Sequence, residues 1–288
     1  MAELKIIPLK IPNRNGDNIT ADFRIINPES EMKINSGKLP LVIFCHGFKG
    51  FKDWGGFPYM LDKIALSGNF TVSFNFTYNG VGEDGDDLVN FTRLDLFAQN
   101  THTRELNDIE DLLNYLEINK DVYNFDFENI TLIGHSRGGG TAVVFSANDK
   151  RIKKLITLSA ISDFDRYSER LKEKWKIDGY WEAENVRTKQ LMRINLSLLE
   201  DIEHNFEKLN IEKAASLINI PWLIIHGTED LAVDYSHAET LKSANQLETT
   251  ELILIENTGH TFGVVHPFTG SNEKFDSVIE IIKEFIQN

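Results

Sequence analysis

The sequence predicts an α/β fold with a mostly parallel, doubly wound sheet, antiparallel strands at the N-terminus and a helical segment inserted late in the chain. Three observations predict it. Short, nearly continuous apolar runs recur from residue 40 onward, as expected of strands covered on both faces. Apolar residues at helical spacing lie between several of them. Before residue 27 the pattern differs: apolar and polar residues alternate one by one.

The elements follow in order. Ile19, Ala21, Phe23 and Ile25 alternate with Thr20, Asp22 and Arg24, the period of a half-exposed antiparallel strand, and residues 13–17 supply the turn before it. The runs at 41–45, 70–76, 130–133, 155–158, 222–225 and 252–255 read as the parallel strands. Leu106, Ile109, Leu112, Leu113 and Leu116 share one helix face, as do Phe275, Val278, Ile279, Ile282, Phe285 and Ile286. Strand and helix in alternation imply right-handed βαβ units. Residues 162–214 break the alternation: they show no good strand, are rich in charge and aromatics (Tyr167, Trp175, Tyr180, Trp181), and look helical around 191–209. A structureless loop of about fifty residues is uncommon in a compact domain. The expectation is therefore a core of residues 1–161 and 215–288 with 162–214 as a helical cap. Residues 80–87, with Glu83, Asp84, Asp86 and Asp87, lack EF-hand spacing and read as a solvated acidic loop.

Composition narrows the function. At 288 residues and 41% hydrophobic, the chain can bury a sizeable core. A net charge of −14 argues against non-specific nucleic-acid or anionic-membrane binding, which needs clustered Lys and Arg. Cys45 is the single cysteine, which excludes an internal disulfide and a cysteine-based metal site; its apolar run marks it as a buried small hydrophobe. No signal-peptide pattern opens the sequence, and no apolar run nears the roughly 20 residues of a membrane span. A cytoplasmic location is the expectation.

The chemistry concentrates in one motif. Residues 130–133 lead into Gly134-His135-Ser136-Arg137-Gly138-Gly139-Gly140, followed by the helix-compatible 141–145. This is G-x-S-x-G between strand and helix, where glycines let a sharp turn lift the serine hydroxyl above the sheet. The glycine-rich phosphate loop is excluded by the missing Lys. A serine hydroxyl is a weak nucleophile until a base takes its proton, and the base needs an orienting acid. Asp230 follows the run 222–225 and His260 follows 252–255, the chain order and positions that such a triad requires. Glu229, Asp163 and Asp165 are the competing acids, and His266 the competing base. His226 reads as support for the acid loop, His237 as an exposed helix residue, His204 as part of the cap, and His102 as a residue without an evident partner. For the oxyanion, backbone N–H groups of Arg137 and of Phe48, in His46-Gly47-Phe48-Lys49-Gly50, are the expected donors. The Arg137 guanidinium itself reads as one half of a surface salt bridge.

With these residues in place, the chain resembles the α/β-hydrolase superfamily over nearly its whole length. The segment 46–50 with Asp53-Trp54, the elbow at 134–139, the acid loop 226–230 and Gly259-His260-Thr261-Phe262-Gly263 resemble dienelactone-hydrolase-like and cinnamoyl or feruloyl esterase-like proteins. The resemblance implies a serine carboxylesterase, with no cofactor or metal, acting on a small-molecule ester through an acyl-enzyme, and a lid at 162–214. True dienelactone hydrolases commonly use cysteine where this chain has Ser136, which counts against a dienelactone and favours a carboxylic ester; the resemblance and the aromatic residues make aryl or cinnamoyl-type esters the candidates. Trp54, Phe262 and Trp181 are the expected pocket residues, with Phe48, Phe57, Tyr167, Trp175 and Tyr180 as further candidates. A peptidase, an acyltransferase or a carbon–carbon bond hydrolase would use the same triad, and an inactive hydrolase fold would serve as a ligand receptor. The oligomeric state is left open.

Overall fold

The computed structural model describes residues 3–27, 37–82, 87 and 89–288. An antiparallel hairpin comes first, β1 (Leu4–Pro12) and β2 (Asn18–Ile26), with Leu4 opposite Ile26 and Pro12 opposite Asn18. Its turn is held by Asn13, whose Oδ1 accepts from the amides of Asn15 and Asp17, a local bond that lets Asn nucleate turns. The core then runs β3 (Leu39–Cys45), α1 (Phe57–Leu66), β4 (Phe70–Phe74), α2 (Leu94–Phe97), α3 (His102–Tyr123), β5 (Phe125–His135), α4 (Arg137–Asn148) and β6 (Ile152–Leu158). After the inserted segment it resumes with β9 (Trp222–Gly227), α8 (Ser236–Ala244), β10 (Thr250–Ile255) and α9 (Glu273–Gln287).

The strands form one eight-stranded sheet in the order β1-β2-β4-β3-β5-β6-β9-β10. Only the pairs that involve β2 are antiparallel; every other pair is parallel. β3 shows why the parallel strands read as unbroken apolar runs. Leu41, Ile43 and Cys45 enter one apolar cluster, shared with Leu106, Ile109 and Leu112 of α3. Val42 and Phe44 enter the other, shared with Met60 and Leu61 of α1 and with Phe275 and Ile282 of α9. Successive side chains point to opposite faces, and both faces are covered by helices.

Two local expectations need correction. The polar side of β2 is buried at Asp22 and Arg24, where α1 packs against the strand, while Asn18 and Thr20 stay partly exposed. Arg24, only 2% exposed, donates to Asp62 (3.0 Å) and to Ser73 (2.7 Å), while Asp22 accepts from Lys52 at 2.5 Å. Buried charge is tolerated there because each group has a partner. The second correction concerns residues 162–214. Helices α5 (Glu169–Asp178), α6 (Leu196–His204) and α7 (Ile211–Leu217) are accompanied by an antiparallel hairpin, β7 (Tyr180–Glu184) and β8 (Leu191–Asn195). The apparently helical stretch at 191–209 thus starts as a strand, burying Met192 and Ile194 on one side. Five-residue strands are too short for their alternation to stand out in the sequence.

Residues 83–86 of the acidic loop lie outside the described residues; Asp87 accepts from the amides of Val89 and Asn90. Among the described residues no helix is long and apolar enough to cross a membrane.

Candidate active site

Ser136 stands between the last residue of β5 and the first of α4, with φ 57° and ψ −122°. A non-glycine residue pays strain for positive φ, so neighbouring bonds must hold it. Its N–H donates to Leu158 O (2.9 Å), and its carbonyl accepts from Gly139 N (3.0 Å) and Ile161 N (3.3 Å). The flanking space is closed. A Cβ on Gly138 would fall 2.3 Å from His46 O, and one on Gly47 would fall 2.9 Å from Ser136 Cβ. The loop after β3 therefore packs directly on the turn that carries the serine.

That loop is locked by His46. Phe76 N–H donates to its Nε2 (3.2 Å), so Nδ1 carries the proton and donates to Gly47 O (3.0 Å). Burial pushes this ring down to about 4, which keeps it neutral.

Asp230 lies three residues beyond β9, fully buried at its side chain. His260 Nδ1 lies 2.7 Å from its Oδ2, and His226 Nε2 lies 3.2 Å from the same oxygen. The amides of Ala232 and Val233 donate to Oδ1, both at 2.9 Å. Burial by itself would raise the Asp230 pKa. The bonds from His226 and His260 and the backbone amides override it and hold the carboxyl well below its ordinary range. His226 also donates from Nε2 to Val233 O (2.8 Å), closing the acid loop on itself.

His260 lies five residues beyond β10, its side chain 24% exposed. It shares one cavity of about 290 Å³ with Ser136, together with Phe48, Trp54, Phe57 and His135. His135 ties the serine turn to the histidine loop: its Nε2 lies 2.9 Å from His260 O, and the two rings lie 4.7 Å apart. Burial, then the neighbouring His260, pushes His135 down to about 3. Being neutral, it can donate from Nε2 to that carbonyl.

The competing acids are elsewhere. Glu229 is exposed, and Asp163 and Asp165 line a separate cavity with His237. His266 accepts from Gly55 N–H (2.9 Å) and stacks on Trp54. His237 is not an exposed helix residue: it is half-buried, with Ser162 Oγ 2.7 Å from its Nδ1. His102 is buried against Phe164, and neither ring nitrogen has a hydrogen-bond partner among the described residues.

Three further expectations change. Phe262 is fully buried in the cluster beneath α9 and does not line the cavity. Trp181 packs with Tyr167 and Trp175 in an aromatic cluster of the insertion, also away from it. The insertion instead lends Asn185, Val186 and Arg187, from the turn joining β7 to β8. Finally, the Arg137 pair is buried, not superficial. Arg137 Nη2 lies 2.5 Å from Glu105 Oε1, and Glu105 is 1% exposed. The guanidinium covers the Phe48 ring at 4.7 Å. Glu105 also accepts from Asn100 (2.8 Å) and Thr141 (3.2 Å). No sequence pattern announces this pair, because α3 and α4 supply one partner each. Among the described residues, no group of three His, Cys, Asp or Glu is placed to hold a metal ion.

The sheet order, the strained serine between strand and helix, and the acid and histidine loops at neighbouring strand ends define an α/β-hydrolase. Within that class the chain belongs to the BD-FAE family, whose model matches residues 92–244, more than half of its length. The match includes Ser136 and Asp230 and stops before His260. A protein of Escherichia coli described as an uncharacterized 31.7 kDa protein in the traX-finO intergenic region is 26% identical over 280 residues, spanning 94% of this chain and 86% of that one. Among solved structures, DcsB in complex with its substrate analogue superposes with a TM-score of 0.72 at 16% identity, covering 98% of both chains. Est1E from Butyrivibrio proteoclasticus with ferulic acid bound superposes with a TM-score of 0.70 at 19% identity, covering 97% of this chain and 98% of that one. At such identities the structural likeness speaks for the fold.

Proposed function

We propose that the protein is a serine hydrolase of carboxylic esters, with Ser136 as nucleophile, His260 as general base and Asp230 as the acid that orients the histidine. The observation that carries this reading is the His260–Asp230 bond of 2.7 Å at the cavity that His260 shares with the strained Ser136. Asp230 holds the Nδ1–H tautomer of His260, which leaves Nε2 free to take a proton.

The steps follow. Ser136 Oγ attacks the ester carbonyl while His260 takes the hydroxyl proton. The carbonyl oxygen becomes an oxyanion, which the N–H groups of Phe48 and Arg137 stabilise; each such donor contributes roughly 3–4 kcal/mol. Arg137 opens α4, where the first amides lack intrahelical acceptors. The intermediate collapses, the C–O bond to the alcohol breaks, and His260 returns its proton to the departing oxygen. Water, deprotonated by His260, then attacks the acyl-enzyme and releases the acid and Ser136. The reading uses only protein groups and water. Residues 162–214 serve as a cap, a role supported by the rim residues they lend to the cavity.

Labelling with a fluorophosphonate probe tests the mechanism. Labelling confined to Ser136, abolished together with hydrolysis of short 4-nitrophenyl esters in Ser136→Ala, is the expected result. Esterase activity that survives this substitution would remove the proposal.

A further inference from the structure

We propose that the ester this cavity takes carries a carboxylate, recognised by Arg187 and Lys49. The inference rests on the hydrolase reading of the same cavity and names its substrate class. The chain has 44 Asp and Glu against 30 Lys and Arg, yet among the described residues the lining of this cavity contains both Lys49 and Arg187 and no Asp or Glu. The described charged side chains of the lining are thus cations, in a chain whose net charge is −14.

Neither cation is neutralised by an ion pair among the described residues. Arg187 Nη1 donates to Val89 O at 2.5 Å. Its Nη2 is buried and has no hydrogen-bond partner among the described residues. A buried guanidinium N–H left without an acceptor is destabilising, and such groups are rare unless a ligand or water meets them. The carboxylates of the surrounding hairpin make their ion pairs with other cations: Glu184 lies 3.5 Å from Lys189 and acts on Lys49 only through space, and Glu182 lies 3.7 Å from Arg193. Asp87 acts on Arg187 through space, while its own oxygens accept from Val89 and Asn90. Lys49, on the loop after β3, donates to the neutral carbonyl of Glu184 (2.7 Å) and lies 5.2 Å from the Phe48 ring centre. An ammonium has three donors, so two remain. Burial pushes both side chains below their ordinary values, the mark of cations taken from water without full compensation.

A carboxylate fits this arrangement. A guanidinium edge matches its planar oxygens, and Lys49 adds a second point of charge in the lining of the same cavity. The cavity volume of about 290 Å³ lies at the lower end for small-molecule sites, so the ester is small. One cation comes from the core loop and one from the insertion, so an anionic substrate would join the two parts.

The experiment separates binding from turnover. In Ser136→Ala protein, calorimetric binding of monomethyl adipate is compared with that of methyl hexanoate, which has an acyl chain of equal length without the charge. The expected result is tighter binding of the adipate ester by roughly tenfold or more, in line with a charge-assisted hydrogen bond. That preference is expected to shrink with added salt, to collapse in Arg187→Gln and to weaken in Lys49→Gln. Arg187→Lys, which keeps the charge, retains part of it, and Arg187→Glu turns it toward methyl 6-ammoniohexanoate. The intact enzyme should show the same order in kcat/KM for the matching 4-nitrophenyl esters. Equal binding of the two methyl esters, or a preference unchanged in Arg187→Gln, overturns the inference and leaves the hydrolase reading standing. Failure of Ser136 labelling would instead strike the hydrolase reading, while the binding comparison is still read.

Discussion

Asp230 gathers two histidines and two backbone amides on its two oxygens, and this sets what single substitutions should do. Asp230→Asn keeps the shape but can donate where the carboxylate accepts, favouring the wrong His260 tautomer. On the proposed mechanism, a loss in kcat of about 10⁴ with little change in KM is expected, by analogy with the same change in serine triads. Stopped-flow acylation rates check it; a loss below tenfold would deny Asp230 the orienting role. His135 offers a finer test. His135→Phe keeps a buried ring but removes the N–H that reaches His260 O, a bond across 125 residues of sequence. A roughly tenfold lower kcat with unchanged far-ultraviolet circular dichroism is the expected outcome, since small misplacements of a reacting group cost heavily. The positions of Ser136, Asp230 and His260 were legible because each sits within a few residues of an apolar run that reads as a strand. The partnership of His135 with His260 was not, since nothing local to either residue records it.

At the level of elements, the turn at Ser136 is where β5, α4 and the loop after β3 meet. Gly138→Ala would drive a methyl group to 2.3 Å from His46 O, a backbone atom that cannot swing away. A loss of several kcal/mol in unfolding free energy, or failure to fold, is expected in urea titrations. Glu105 joins α3 to α4 through Arg137, and Arg137 in turn covers Phe48. Removing one member of a buried pair leaves the other uncompensated, at a cost of roughly 3–5 kcal/mol. Glu105→Ala should therefore lower stability by about that amount in denaturant titrations, and Glu105→Gln, which preserves an acceptor, by less. The amphipathic faces of α3 and α9 were readable from spacing, whereas this pair was not: Glu105 and Arg137 are ordinary charged residues until two helices are packed. The hairpin β7–β8 was likewise hidden, because its two five-residue strands alternate too briefly and stand among helices.

For the whole molecule, buried titratable groups predict how stability varies with pH. His46 and His135 are pushed by burial to about 4 and about 3, and His102 is also pushed well below its ordinary value. In the unfolded chain these rings take protons near pH 6.5, while the native state refuses them until far lower pH. The unfolded state therefore binds more protons below about pH 6.5, and stability falls as pH drops, by about 1.4 kcal/mol per pH unit for each fully effective histidine. Asp108 works the other way. Burial raises it to about 6, so from pH 6 downward the native state takes a proton before the unfolded one, and this group adds stability. Three histidines oppose one aspartate, so the melting temperature should decline from pH 7 to pH 5. Calorimetric scans across that range check it, and a His46→Gln variant should show a shallower decline.

The sequence by itself determined the class of fold, the order of strands and helices in the core, and the local setting of Ser136, Asp230 and His260. These depend on short-range signals: periodicity, glycine at a strained turn, and a polar residue just past a strand end. Only the tertiary structure decided which side chains face the cavity. It buried Phe262, turned Trp181 into the insertion's own aromatic cluster, brought Arg187 and Lys49 into the lining of one cavity, and sank the Glu105–Arg137 pair. The physical reason is that a side chain's surroundings are set by elements distant in the chain. Burial, desolvation and the pairing of charges are properties of that packing, and no local pattern carries them.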